Sequence, residues 1–85
     1  MRFTVISLPA FDNMLADLWV SAADPQAVTD AANWIERALA SDPLAKVTPV
    51  DNLYFIRSDP LVVLCTISVE DRMVEMIRVH RTDND

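Results

Sequence analysis

Hydrophobic residues recur along the chain with two different spacings, and these spacings predict two helices and four strands. Residues 2–8 combine β-branched and aromatic side chains and predict the first strand. The next two segments place apolar residues three and four positions apart, which is the spacing of one helix face. In the first helix these residues are Phe11, Met14, Leu15, Leu18, Trp19 and Ala22, and in the second they are Val28, Ala31, Ala32, Ile35 and Leu39.

Prolines mark where the helices begin and end. Pro9 suits the first turn of the first helix, where its missing N–H is not needed. Asp24 can cap the second helix, with Pro25 at its first position. Pro43 ends that helix, because the residue before a proline is pushed out of the helical region. The link between the two helices is short, so they are predicted to form an antiparallel hairpin.

The second half of the chain predicts a loop followed by three strands. Residues 44–50 predict the loop, and residues 53–57 predict the second strand. Residues 61–68 are almost continuously apolar, which predicts a central strand covered on both faces. Residues 73–81 predict the last strand, and a polar tail follows it.

Together these elements predict a single α+β domain over residues 1–85. The order is β-α-α-β-β-β, in two layers, with the helical hairpin packed on one face of a mainly antiparallel four-stranded sheet. The other face of the sheet has no predicted cover. Leu53, Phe55, Leu61 and Val63 are the candidates for that exposed or partner-covered face.

Composition narrows the possible chemistry. The chain has no glycine, which excludes a Gly-rich phosphate-binding loop. Turns that need a left-handed backbone must use Asn or Asp, such as Asn13, Asn33 or Asn52. The single cysteine, Cys65, lies in an apolar run and is predicted to be a buried, inert thiol.

Targeting signals are not evident in the sequence. The absence of a disulfide pair fits a reducing compartment, and residues 3–8 are too short for a signal peptide. The longest apolar stretch, residues 61–67, is too short to cross a membrane. We therefore expect a soluble, cytoplasmic protein.

The charge is acidic and unevenly distributed. The formal net charge is −6. Residues 1–42 carry six acidic and two basic side chains, whereas residues 43–82 carry five of each. An acidic chain is a poor phosphate binder overall, but the second half can still present a local basic patch.

Several segments resemble the RelE/ParE family of toxins from bacterial toxin–antitoxin pairs. The resemblance covers residues 3–81 and rests on the order of elements and on four phrases. These are FTVISLPA at residues 3–10, ALASDP at 38–43, RSDPLVVL at 57–64 and VEMIRVHR at 74–81. The last strand of the family commonly carries an arginine where Arg78 stands.

This resemblance implies a function and a partner. Some members of the family cleave mRNA in the ribosomal A site with a concave sheet face, and others inhibit DNA gyrase without cleavage. Both kinds are held inactive by an antitoxin that wraps the toxin, which here would dock on the exposed sheet face and the helical hairpin. The ribosome-dependent members are generally basic and this chain is acidic, so a protein target or a degenerate member remains an open alternative.

Four residues are candidates for the chemistry. RNA cleavage needs a proton acceptor, a proton donor and stabilisation of the phosphorane charge. His80 can give or take a proton near neutral pH, and Arg78 projects from the same side of the strand. Arg57 could join them, and Tyr54 could stack on a base.

Simpler roles are also open for these residues. His80 could be an ordinary surface residue, Arg78 an ion-pair partner and Tyr54 a packing residue. The acidic residues of the helices have no neighbouring His or Cys residue to complete a transition-metal site, so no metal or other cofactor is expected.

Two further classes of protein remain possible on the sequence. One is a non-catalytic interaction module that uses this fold to form a homodimer or to bind another protein. The other is a small-ligand-binding domain, which would need a pocket between Trp34, Tyr54 and the sheet.

Overall fold

The computed structural model describes residues 2–82, so all of the predicted tail at residues 82–85 except Thr82 lies outside them. The elements follow one another along the chain as one edge strand, a helical hairpin with a short third helix, and four further strands. They are β1 (Thr4–Ser7), α1 (Pro9–Ser21), α2 (Pro25–Ser41), α3 (Pro43–Lys46), β2 (Thr48–Val50), β3 (Leu53–Ser58), β4 (Leu61–Ser68) and β5 (Met73–Arg81).

The helix boundaries confirm the predictions made from the prolines. α1 begins at Pro9 and α2 at Pro25. The backbone N–H of Ala27 donates to the carboxylate of Asp24 at 3.3 Å and to the backbone carbonyl of Asp24 at 3.1 Å, so Asp24 caps the start of α2 with both groups. No helix within residues 2–82 has the length and apolarity needed to cross a bilayer.

The sheet has five strands in the order β1-β5-β4-β3-β2. β1 pairs with β5 in parallel, and the other three pairings are antiparallel. The helices pack on one face, so the α+β class and the two-layer arrangement are confirmed. β4 is the central strand, as predicted. The prediction that both of its faces are covered was wrong, because the helices cover one face and the side chains of the other are only half-buried.

The prediction of four strands with a loop at residues 44–50 was wrong. The segment after Pro43 forms the short helix α3, because a proline that ends one helix can occupy the first turn of the next. Residues Thr48–Val50 then form β2 and pair with β3. Pro49 is tolerated there because β2 is an edge strand, which pairs with a neighbour on one side only. The backbone N–H that proline lacks therefore interrupts no pairing in the interior of the sheet.

The turns use residues other than those predicted. Asp51, between β2 and β3, and Arg72, before β5, have positive φ angles of 55° and 52°. Asn13 and Asn33 instead lie inside α1 and α2, where the backbone is right-handed. Asp51 fits the expectation that a short polar residue adopts this conformation, and Arg72 does not.

The core lies between the helices and one face of the sheet. Its buried side chains come from α1, α2, β3, β4 and β5, and the largest fully buried ones include Ile35, Leu39, Ile56, Leu61 and Val63. The assignment of Leu61 and Val63 to the exposed face was therefore wrong. The first half of β4 is apolar on both faces, so alternation there did not reveal which face the helices cover.

Candidate functional site

The sheet face opposite the helices, which we call the open face, combines apolar and cationic side chains. Its members follow from the pairing registers and from the alternation of side chains along each strand. They are Thr4, Ile6, Thr48, Val50, Leu53, Phe55, Arg57, Val62, Leu64, Thr66, Ser68, Met73, Glu75, Arg78 and His80. None of these side chains is buried, which distinguishes this face from the covered one.

A β-bulge in β5 determines which face carries the cations. Leu64 of β4 pairs with Arg78, and the next residue, Cys65, pairs with Met76, so Ile77 is an extra residue without a partner. Before the bulge, Met76 is buried under the helices; after it, Arg78 faces outward. A bulge changes the phase of side-chain alternation along a strand. Without it, Arg78 would lie on the helix-covered face with Met76.

Three cationic or titratable side chains meet at one end of the open face. Val62 pairs with His80 on one side and with Arg57 on the other, so these three residues form one row across the sheet. Arg78 lies two residues before His80 on the same strand, about 7 Å away along it. His80 and Arg57 are separated by two strand spacings, about 10 Å. The structure thus brings together three of the four predicted site residues.

Arg57 is partly neutralised by a local ion pair. Its Nε donates to Oδ1 of Asp59 at 3.0 Å, and the two side chains are 61% and 72% exposed. An exposed pair of this kind contributes little to stability and is readily exchanged for another anion. Arg57 can therefore leave Asp59 and bind a ligand with little loss of free energy. Arg78 and His80 form no ion pair among residues 2–82.

The far end of the open face has the opposite character. Glu75 lies there, half-buried, and its carboxylate accepts a weak hydrogen bond from Oγ1 of Thr66 at 3.5 Å. The face therefore runs from a cationic end, near the β3–β4 turn, to an acidic one near β1. A ligand that spans the face would be oriented by this gradient.

The centre of the open face is apolar. Phe55, Val62 and Leu64 are half-buried by their neighbours in the sheet but carry no helix above them. At the edges, Val50 and Ile6 are exposed large hydrophobic residues. A continuous apolar patch of this kind on a small protein indicates a surface that another molecule covers.

Tyr54 does not belong to this site. It pairs with Cys65, which is buried on the helix-covered face, and its ring packs against the core. Tyr54 therefore lies on the other side of the sheet from Arg57, Arg78 and His80. The packing role that was kept open for it agrees with this placement.

The residues that sequence reasoning missed are Val62 and Leu64 of the open face. The signal that could have found them lies further along the same strand. Thr66 and Ser68 are the polar residues of β4, and they share the alternation phase of Val62 and Leu64. Assigning the polar pair to the outer face would have placed the strand correctly.

No other centre of reactive groups emerges within residues 2–82. There is no cluster of three His, Cys, Asp or Glu side chains that could hold a metal ion in this part of the chain. Cys65 is fully buried, and burial raises the pKa of its thiol to about 11. The thiol is therefore protonated and unreactive near neutral pH.

The comparison with solved structures finds proteins of the same fold, whereas the two sequence comparisons find no match. The chain matches no protein-family model and no curated protein sequence. It superposes on a chain of the toxin–antitoxin complex RelBE2 from Mycobacterium tuberculosis with a TM-score of 0.81 and 22% identity, covering 98% of this chain and 95% of that one.

Two further solved structures give the same result at lower identity. A chain of the chromosomal ParDE toxin–antitoxin system from P. aeruginosa has a TM-score of 0.70 and 9% identity, covering 96% of this chain and 98% of that one. A chain of the archaeal RelE–RelB complex from Pyrococcus horikoshii OT3 has a TM-score of 0.63 and 14% identity, with full coverage of both. This chain therefore shares its fold with chains from these three toxin–antitoxin complexes.

Proposed function

We propose that this protein is the toxin of a bacterial type II toxin–antitoxin pair, that it acts in the cytoplasm through the open face, and that a cognate antitoxin holds it inactive. The observation that carries the proposal is an uncovered apolar sheet face with Arg57, Arg78 and His80 at one end. The protein also shares its fold with chains from toxin–antitoxin complexes. An antitoxin segment over this face would bury the apolar patch and block Arg57, Arg78 and His80 together.

The physical properties of the face favour a protein target, such as DNA gyrase. The formal net charge of −6 repels polyanions at a distance. The middle of the face offers Phe55, Val62 and Leu64, which gain free energy by burial against a protein surface. Arg57, Arg78 and His80 would then act at the rim, where charges set orientation and specificity.

The second candidate is mRNA cleavage, and the phase change at Ile77 favours it. That bulge exposes both Arg78 and His80 on one side of the sheet. His80 would take the proton of the ribose 2′-OH or give one to the leaving oxygen, and a guanidinium would stabilise the charge on the phosphorane. Because His80 is the only histidine in the chain, one of the two proton transfers would have to use water or another group.

The alternative to both is a non-catalytic module with this fold. Such a protein would use the open face to form a homodimer or to bind another protein, and it would not arrest growth. If two copies met through their open faces in parallel, the cationic ends of both copies would repel each other. If they met in an antiparallel alignment, the cationic end of each copy would face the acidic end of the other. A homodimer is therefore a separate outcome to test.

The first experiment is growth of a bacterial host during induced expression. We expect the wild-type chain to arrest growth, and the double variant Arg78→Ala/His80→Ala to permit it. Arg37→Ala is the matched control, because Arg37 is an exposed arginine on α2, away from the open face. Normal growth with the wild type, at equal soluble expression, would exclude the active toxin and leave the interaction module.

Two single variants separate the two modes of action. A protein-binding toxin loses activity with Leu64→Lys, which places a charge in the apolar centre, and keeps most of it with His80→Ala. An RNA-cleaving toxin loses activity with His80→Ala. Mapping of mRNA 5′ ends after induction, and a gyrase supercoiling assay with purified protein, identify the target class directly. Circular dichroism of each variant checks that the fold is intact.

A further inference from the structure

The turn between β3 and β4 places an acidic residue beside the cationic end of the open face. β3 ends at Ser58 and β4 begins at Leu61, and these two residues pair. Asp59 and Pro60 are therefore the whole turn. The backbone N–H of Thr82 donates to the carbonyl oxygen of Pro60 at 2.8 Å, which ties the turn to the end of β5. The backbone of Asp59 is thus held next to the row of cations.

Asp59 occupies one edge of the Arg57 guanidinium. Its Oδ1 accepts a hydrogen bond from Nε of Arg57 at 3.0 Å. Arginine binds a phosphate most strongly when two neighbouring N–H groups reach two oxygens of that phosphate. The edge that contains Nε is taken by a carboxylate, so it can make such a contact only after the ion pair opens.

The charge of Asp59 also acts on a ligand after the ion pair has opened. Opening an exposed pair costs little free energy, but the carboxylate stays on its short turn close to Arg57. A phosphate bound to Arg57 would lie about 6 Å from that carboxylate, a distance at which two like charges near a protein surface repel appreciably. Asp59 therefore opposes phosphate binding in two ways, by competition for Arg57 and by repulsion.

We propose that Asp59 is a specificity-determining residue of the open face, which excludes phosphate-bearing ligands from its cationic end. A protein can gain specificity by placing a repulsive charge against the wrong ligand, as well as by attracting the right one. With Asp59 in place, Arg57 presents a neutral pair of donor and acceptor groups, whereas without it Arg57 would present a cation to a phosphate. The inference rests on the proposed function only in taking the open face as the binding surface.

Binding of a single-stranded oligonucleotide to the purified protein tests this role. The probe is a fluorescein-labelled 2′-O-methyl RNA of about 12 nucleotides, which lacks the free 2′-OH needed for cleavage. Fluorescence anisotropy gives its affinity at salt concentrations from about 50 to 200 mM. Asp59→Asn removes the charge and keeps the size of the side chain. We expect this variant to bind the probe about three- to tenfold more tightly than the wild type at the lowest salt.

The salt dependence distinguishes a new phosphate contact from a general change in charge. One added contact between Arg57 and a phosphate should steepen the plot of log affinity against log salt by about 0.7. Asp51→Asn is the matched control, because it makes the same charge change at the other end of β3, roughly 20 Å away. Asparagine also suits the positive φ of residue 51. This control should change the affinity less than about twofold.

Two arginine variants identify the group that Asp59 restrains. Arg81 is the informative comparison for Arg57, because it lines a cleft of about 350 Å³ together with Asp59 but lies on the helix-covered side, paired with the buried Leu61. Asp59→Asn/Arg57→Gln should bind the probe no more tightly than Arg57→Gln alone. Asp59→Asn/Arg81→Gln should keep the full gain relative to Arg81→Gln.

Three results would overturn the role of Asp59. One is an Asp59→Asn variant that binds the probe no more tightly than Asp51→Asn, including the case in which neither binds. Another is a salt slope equal to that of the wild type. The third is a gain that survives Arg57→Gln. Circular dichroism checks that each variant is folded. Probe binding is measured without reference to growth, so its failure would leave the toxin proposal standing, and a chain that does not arrest growth can still show the gain.

Discussion

The orientation of β4 can be tested with two neighbouring valines. Val62 lies on the open face and is half-buried, whereas Val63 points under the helices and is 1% exposed. Truncating each to alanine removes the same atoms from adjacent positions of one strand. The variants therefore differ only in the environment of the side chain, which makes each the control for the other.

The expected difference follows from burial. Val63→Ala removes the equivalent of two methylene groups from the core, at about 0.8 kcal/mol each, and leaves a cavity between β4 and the helices. We expect a loss of about 2 to 3 kcal/mol in the free energy of unfolding. Val62→Ala gives up only partial burial and some strand propensity, so its loss should stay below about 1 kcal/mol.

Urea denaturation followed by circular dichroism measures both values. For a chain of this size the slope is about 1 kcal/mol per molar urea, so Val63→Ala should lower the midpoint by about 2 to 3 M and Val62→Ala by less than about 1 M. Equal losses, or a larger loss at Val62, would refute the assigned orientation. Because Val62 pairs with both Arg57 and His80, that result would also place those residues under the helices and remove the candidate site.

Three further predictions concern single groups. Thiol reagents at about pH 8 should label Cys65 only as fast as the chain unfolds. Burial raises the pKa of Cys65 from 9.0 to about 11, so the thiol ionises first in the unfolded chain; between those pH values the free energy of unfolding should fall by about 2 kcal/mol relative to Cys65→Ala, and a flat difference would contradict this. Asp24→Ala should cost about 1 kcal/mol or less in thermal or urea unfolding, since the N–H of Ala27 loses its side-chain acceptor and keeps only the backbone carbonyl of residue 24. An unchanged stability would show that the side-chain cap is inert. A double-mutant cycle on Arg57 and Asp59 should give a coupling below about 1 kcal/mol that shrinks at high salt, whereas a larger, salt-independent value would mean that the pair is not the exposed one described.

The helical half of the molecule was predictable because its signals are local. The apolar stripe of each helix repeats at helical spacing, and Pro9, Asp24, Pro25 and Pro43 mark the ends. Each of these residues acts through its own backbone or that of its near neighbours. Such effects do not depend on the rest of the fold, so they can be read from sequence alone.

The sheet was less predictable because its signals are not local. Val62 and Val63 are the same residue type on opposite faces, so the alternation of β4 carries no information at that point. β2 is only three residues long and contains Pro49, so it has no strand pattern of its own and depends on pairing with β3.

The sequence placed Arg78 and His80 together, but it did not show which face of the sheet they occupy. Arg78 and His80 share a face because they are two residues apart, as expected from strand geometry. That this face is the outer one depends on the unpaired Ile77, and nothing near it, such as a glycine or proline, marks a bulge in the sequence. Tyr54 was grouped with them from its residue type, whereas its position in β3 places it on the helix-covered face, packed against the core.

The parallel pairing of β1 with β5 has a consequence for the order of folding during synthesis. Thr4 lies beside Met73, so the first strand must wait for roughly 70 residues to be made before its neighbour exists. The hairpins of β2, β3 and β4 involve only short loops and can form earlier. Arg78 and His80 belong to the strand that completes the sheet, so a nascent chain still lacking β5 has neither a closed core nor the cationic end of the open face.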